Sequence, residues 1–71
     1  MQTQKVESTM LKAVGYDGER KLLEIVFRDG EAVQYFGVPK RSYTSLMSAS
    51  SKGRYVRDVV LKQYPYEVIT A

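Results

Sequence analysis

The run Gly37-Val38-Pro39 divides this 71-residue chain into two halves, and no regular element can pass through it. Gly37 frees φ, and Val38, as a pre-proline residue, is driven to extended backbone. Pro39 can open a helix but cannot sit inside one. Before the break, Tyr35 and Phe36 sit at alternating strand positions and point to opposite faces. Beyond it, Tyr43, Leu46 and Met47 follow the i, i+3, i+4 spacing of a helix. Strands must therefore lie ahead of the break and helices after it.

Three strands are read in the first half. Ser8 to Tyr16 is the first, with imperfect alternation: Leu11 and Ala13 share one face, Val14 and Tyr16 the other. A bulge near Ala13 to Gly15 would let Leu11 and Val14 both face inward. Asp17-Gly18-Glu19-Arg20 is a turn on composition. Lys21 to Arg28 is the clearest strand, with Leu23, Ile25 and Phe27 on one face. Asp29-Gly30 then predicts a type I′ hairpin turn, and Glu31 to Phe36 returns antiparallel with Val33 and Tyr35 on the buried face.

Two helices are read in the second half. The first runs from Pro39 to Ser48. Ala49 to Gly53 interrupts it, with Ser50 or Ser51 as the N-cap of the next. From Arg54 to Tyr64, the residues Val56, Val59, Val60 and Gln63 or Tyr64 trace an inner face. Arg54–Asp58 and Asp58–Lys62 have the spacing of i, i+4 ion pairs. Pro65 ends the helix, and residues 66–70 are either a short closing strand or a docked tail. The expected fold is α+β, ordered β-β-β-α-α with an optional last strand: a three-stranded antiparallel sheet with two helices on one face. Residues 1–71 form one domain, with a core at 8–64, a polar segment at 1–7 expected to stay frayed, and a tail at 65–71.

Composition limits the chemistry. With no Cys and no His, the chain has no disulfide, thiolate, imidazole base or imidazole metal ligand. The clustered serines Ser42, Ser45, Ser48, Ser50 and Ser51 are explained by turns and caps, and a Ser51–Lys52 pair lacks the geometry that catalysis needs. No phosphate-binding glycine motif occurs. We expect no enzyme activity, no cofactor, no metal and no small-molecule substrate. No apolar run reaches the roughly 20 residues of a membrane span, and the polar start Met1 to Lys5 does not read as a signal peptide. The expectation is a soluble cytoplasmic monomer with no membrane partner.

The charge is uneven. Residues 1–39 hold five basic and six acidic side chains, whereas residues 40–62 hold six basic ones against Asp58 alone. Such a positive half attracts phosphates or an acidic protein surface, although a merely solvated helical face would look the same. The candidate binding residues are Lys40, Arg41, Lys52, Gly53, Arg54, Tyr55, Arg57 and Lys62. Ser50 to Arg54 could hold an anion at a helix start, or be an ordinary N-cap. Gly53 is conspicuous, since glycine in a first helical turn costs up to about 1 kcal/mol relative to alanine. Of the six tyrosines, Tyr35 and Tyr43 are assigned to the core and Tyr55 to the surface. Exposed tyrosine beside arginine suits single-stranded nucleic acid or a protein interface.

Taken in order, these residues resemble the KTSC domain family. Ser8, Gly15-Tyr16-Asp17, Leu22 or Leu23, Phe27 and Gly30 match the first half of its pattern. Tyr35, Val38-Pro39, Tyr43, Leu46, Ala49, Ser51, Gly53, Tyr55 and Tyr64 match the second. Two positions depart: the family's central Tyr-x-Tyr stands here as Val33-Gln34-Tyr35, and Val56-Arg57 replaces Phe-Asn. The resemblance implies a short domain that occurs alone in bacterial and phage proteins or appended to lysyl-tRNA synthetases, with RNA binding as the suggested role. The lost aromatic at Val33 weakens a base-stacking strand. In size and composition the chain is also similar to small phage transcription regulators. That likeness implies the large subunits of bacterial RNA polymerase as partner and inhibited host transcription as the outcome, with RNA or single-stranded nucleic acid as the alternative target.

Overall fold

A computed structural model describes residues 3–6 and 8–70. Five strands form one antiparallel sheet in chain order: β1 (Thr3–Lys5), β2 (Leu11–Asp17), β3 (Leu22–Phe27), β4 (Ala32–Phe36) and β5 (Tyr66–Val68). Helix α1 (Lys40–Ser48) follows β4. Then α2 (Lys52–Tyr55), a π-helical turn (Val56–Val60) and α3 (Leu61–Gln63) run on without a break as a second helix. The fold is α+β with both helices inserted between β4 and β5. The sheet has five strands rather than three, because a segment expected to fray supplies β1 and the tail supplies β5. Neither announces itself by alternation: β1 is polar and exposed throughout, and β5 has three residues. Their pairing comes from the backbone ladders to β2 and β4. Met1, Gln2, Glu7 and Ala71 lie outside the described residues.

The inner face of the sheet forms two cross-strand rows. One joins Tyr16, Leu23, Tyr35 and Tyr66; the other joins Val14, Ile25, Val33 and Val68. The bulge in β2 lies between Leu11 and Ala13, one step earlier than expected, and it brings both Leu11 and Val14 into the core. The β3–β4 turn is not type I′. Among the described non-glycine residues only Lys21 has positive φ, so Asp29 does not. Instead, the Gly30 N–H donates to Phe27 O, the Phe27 N–H donates to Glu31 O, and Gly30 alone takes φ 95°. This is a three-residue loop closed by a glycine bulge.

The break at Gly37 to Pro39 is anchored on both sides. Gly37 takes φ 74°, which turns Val38 into the core with no exposed surface. The Val38 N–H donates to Lys21 O at 2.8 Å, and its carbonyl accepts from the Tyr16 hydroxyl at 2.7 Å. Pro39 then stands at the N-cap position of α1. Leu46 of α1 and Val56 and Val60 of the second helix complete the buried cluster over the sheet.

The π turn accounts for which residues of the second helix face inward. In a pure α-helix, each turn advances 100° per residue, so a row at i, i+4, i+8 drifts steadily round the axis. A wider turn rotates less per residue and offsets that drift. Val56 and Val60 are buried and Tyr64 half-buried, while Gln63 is exposed. The same widening displaces the expected ion pairs. Asp58 meets neither Arg54 nor Lys62; it accepts from its neighbour Arg57 at 3.1 Å.

Candidate binding surface

The second helix runs antiparallel to α1. Its end meets the start of α1, where the Tyr64 and Ser42 hydroxyls lie 2.8 Å apart. The candidate residues are therefore spread along the helical layer rather than gathered in one patch. Lys40 and Arg41 open α1, and Lys62 is in the last turn of the second helix. Lys52 and Arg54 lie in its first turn, roughly 12–15 Å of helix from Lys62, and Arg57 lies midway, about 8 Å from it, at 1.5 Å per residue. Among the described residues the ion pairs are Arg20–Asp17 and Arg57–Asp58. Lys40, Arg41, Arg54 and Lys62 are exposed, and none of them takes part in a described ion pair.

Two candidates are corrected. Gly53 is buried, and a Cβ built on it would lie 2.5 Å from Met10 Sδ and 3.0 Å from Met10 Cβ. Its role is to let Met10 lie across the first turn of the second helix, so it is not a contact residue. Tyr55, expected at the surface, is half-buried and packs against the core cluster.

The start of the second helix is an ordinary cap: Ser51 Oγ accepts from the Arg54 N–H at 3.4 Å. Lys52 Nζ donates to Ala49 O. Beside them, Ser8, Thr9, Ser50, Ser51 and Lys52 line a polar recess of about 430 Å³.

Most of the tyrosines are engaged inside the fold. Tyr16 and Tyr43 stack with centroids 4.8 Å apart and planes 7° from parallel. Tyr35 is buried, as expected; Tyr43 is half-buried in that stack. Burial holds the Tyr35 hydroxyl above its ordinary value of 10.0, with Tyr66 and Glu31 pushing the same way. The folded-state value therefore exceeds that of the unfolded chain. The stability this group contributes is complete below the unfolded value and is lost as pH rises through the folded one. Thermal melts between about pH 8 and 11 should show Tm falling above pH ~10, and Tyr35→Phe should flatten part of that fall.

Sequence reasoning missed an apolar groove. Across both inner rows burial is nearly complete on β3 and β4 and then lapses at β5, where Tyr66 and Val68 are 53% and 48% exposed. The helical layer stops short of the last strand. Between them opens a cavity of about 320 Å³ whose walls include Met10, Val33, Val56, Leu61, Tyr66 and Val68, with Glu31 and Arg57 also contributing. The alternation of residues 66–70 was the available signal, but it was too short to assign a strand.

These features define a small α+β domain with one helix-covered sheet face, a basic helical layer and an open apolar groove. The chain belongs to the KTSC domain family, whose family model matches residues 7–64. The crystal structure of a KTSC domain protein from Yersinia pestis superposes with a TM-score of 0.92 at 39% identity, covering 97% of both chains. A protein of Tsukamurella paurometabola is 34% identical over 61 residues, covering 86% of this chain and 91% of that one. An uncharacterized protein of Stutzerimonas stutzeri is 34% identical over 59 residues, covering 83% of each. No helix among the described residues is long and apolar enough to cross a membrane.

Proposed function

We propose that this domain is a non-enzymatic binding protein of the gene-expression machinery, a small regulator of the phage type. Its basic helical layer docks on an acidic protein surface. The large subunits of bacterial RNA polymerase are the named candidate, and transcription is modulated because the domain occupies a surface that DNA or another factor requires. The observation that carries this reading is the charge on the helical layer: Lys40, Arg41, Arg54 and Lys62 are exposed and form no ion pair among the described residues. The tyrosines support a protein target over stacked bases, because most are packed against other parts of the fold.

Charge reversal tests it. Arg54→Glu with Arg57→Glu should leave stability within about 0.5 kcal/mol, since both side chains are exposed. The same change should weaken partner binding roughly tenfold and reduce its salt dependence. A pull-down from bacterial lysate that recovers no polymerase subunit with the unaltered chain would sink the proposal.

The second reading is RNA or single-stranded nucleic acid on the same charges, favoured by the polar recess beside Lys52. It requires a log-log salt slope near −0.7 per phosphate neutralised. An NMR titration with mixed RNA that moves no signal in residues 40–62 would eliminate it.

A further inference from the structure

Met10 directly precedes β2, and its side chain lies across the first turn of the second helix. It lines both the apolar groove and a neighbouring recess of about 330 Å³, with Phe27 and Glu31 shared between them. Its backbone is tied down: the Met10 N–H donates to Ser8 Oγ at 3.2 Å, and its carbonyl accepts from the Arg28 N–H at 3.0 Å. Its side chain is held by packing. The sulfur rests on buried Gly53, where a Cβ would come within 2.5 Å of it. Met10 is nevertheless 46% exposed, so small solutes reach it from outside. The chain has no cysteine, and its sulfur atoms belong to Met1, Met10 and Met47. Met47 is half-buried against the core cluster, which leaves Met10 as the described thioether open to oxidants.

We infer that Met10 is a modification site, an oxidation switch at which peroxide loosens the first turn of the second helix from the start of β2. The thioether lone pair attacks one oxygen of hydrogen peroxide, and the S–O bond forms as the O–O bond breaks. Sulfur loses two electrons. The departing hydroxide takes the proton of the transferred oxygen and leaves as water. The product is a sulfoxide, a polar group that favours water over the apolar groove wall. With the Met10 backbone fixed, the far end of the side chain swings outward, uncovers Gly53 and widens the groove. The fold itself survives, because the backbone bonds of Met10 are untouched. The switch does not depend on what the basic layer binds, but the turn it loosens carries Lys52 and Arg54.

The test treats the purified chain with hydrogen peroxide at neutral pH. Peptide mass mapping follows each methionine, and amide NMR and thermal melts follow the product. Met10 should gain one oxygen roughly tenfold faster than Met47, as exposure governs the rate. Amide shifts should then concentrate at residues 8–11 and 52–57, and Tm should fall by about 5 °C. Met10→Leu keeps apolar bulk over Gly53 without an oxidisable sulfur, so under peroxide it should hold its Tm and its signals at 52–57. Met47→Leu should respond as the unaltered chain does. A methionine sulfoxide reductase with its thiol reductant should restore mass, Tm and spectrum. Met10 oxidising no faster than Met47 overturns the switch. So does a Met10 sulfoxide that leaves the signals of 52–57 in place, or a loss of Tm that persists in Met10→Leu.

Discussion

Leu46→Ala is expected to lower the unfolding free energy by about 2–5 kcal/mol. Leu46 has no exposed surface and is the fully buried apolar side chain that α1 contributes to the core. A domain of this size without cysteine has roughly 5 kcal/mol in total. The variant should therefore be substantially unfolded at room temperature, with a collapsed urea midpoint and poorly dispersed amide signals. Leu61→Ala is the matched control, since Leu61 is 44% exposed and should cost well under 1 kcal/mol. A loss below about 1 kcal/mol at Leu46 would mean that α1 is not what seals the sheet.

Gly53→Val should cost about 1–3 kcal/mol by overpacking, even though valine is a better helix former than glycine. The new Cβ enters the space held by Met10, whose Sδ, Cγ and Cβ all lie within 3.0 Å of it. Met10 is 46% exposed, so its far end can swing out, but its Cβ moves only with the start of β2. Met10→Ala shortens that side chain, and the double variant should regain most of the loss. Equilibrium denaturation of the four chains gives the coupling directly, expected at about 0.5–3 kcal/mol. Additive costs would show that the glycine serves something other than this close approach.

What could be read in the sequence was whatever periodicity or backbone chemistry spells out. Leu23, Ile25 and Phe27 alternate cleanly and lie on the inner face of β3; Gly37 and Pro39 end β4 and open α1; Ser51 caps the second helix. The type I′ turn failed because Asp-Gly permits two hairpin geometries, and only the ladder chooses between them. The outer strands were harder for another reason. Thr3 to Lys5, expected to fray, gain their order from neighbouring backbone, which leaves no mark on side-chain pattern; Tyr66 to Val68 alternate too briefly to decide between a closing strand and a docked tail, and pairing with β4 makes them a strand. Among the site residues, the basic side chains were legible as exposed charge. How they are spread over the helical layer depends on the antiparallel return that the Ser42–Tyr64 contact fixes. Gly53 drew notice for a sound reason and received the wrong role, because its partner Met10 lies 43 positions earlier.

Placing both helices between β4 and β5 also sets an order of events during synthesis. Strands β2, β3 and β4 are adjacent in the chain and joined by short turns, so they can pair as soon as Phe36 has left the ribosome. The outer edge of β4 must then wait for both helices before its partner exists. A nascent chain halted anywhere short of Tyr66 would carry Val33, Gln34 and Tyr35 as an open, largely apolar edge, ready to pair with whatever strand arrives first. Residues 66–68 thus serve as a latch that closes only after both helices have been made.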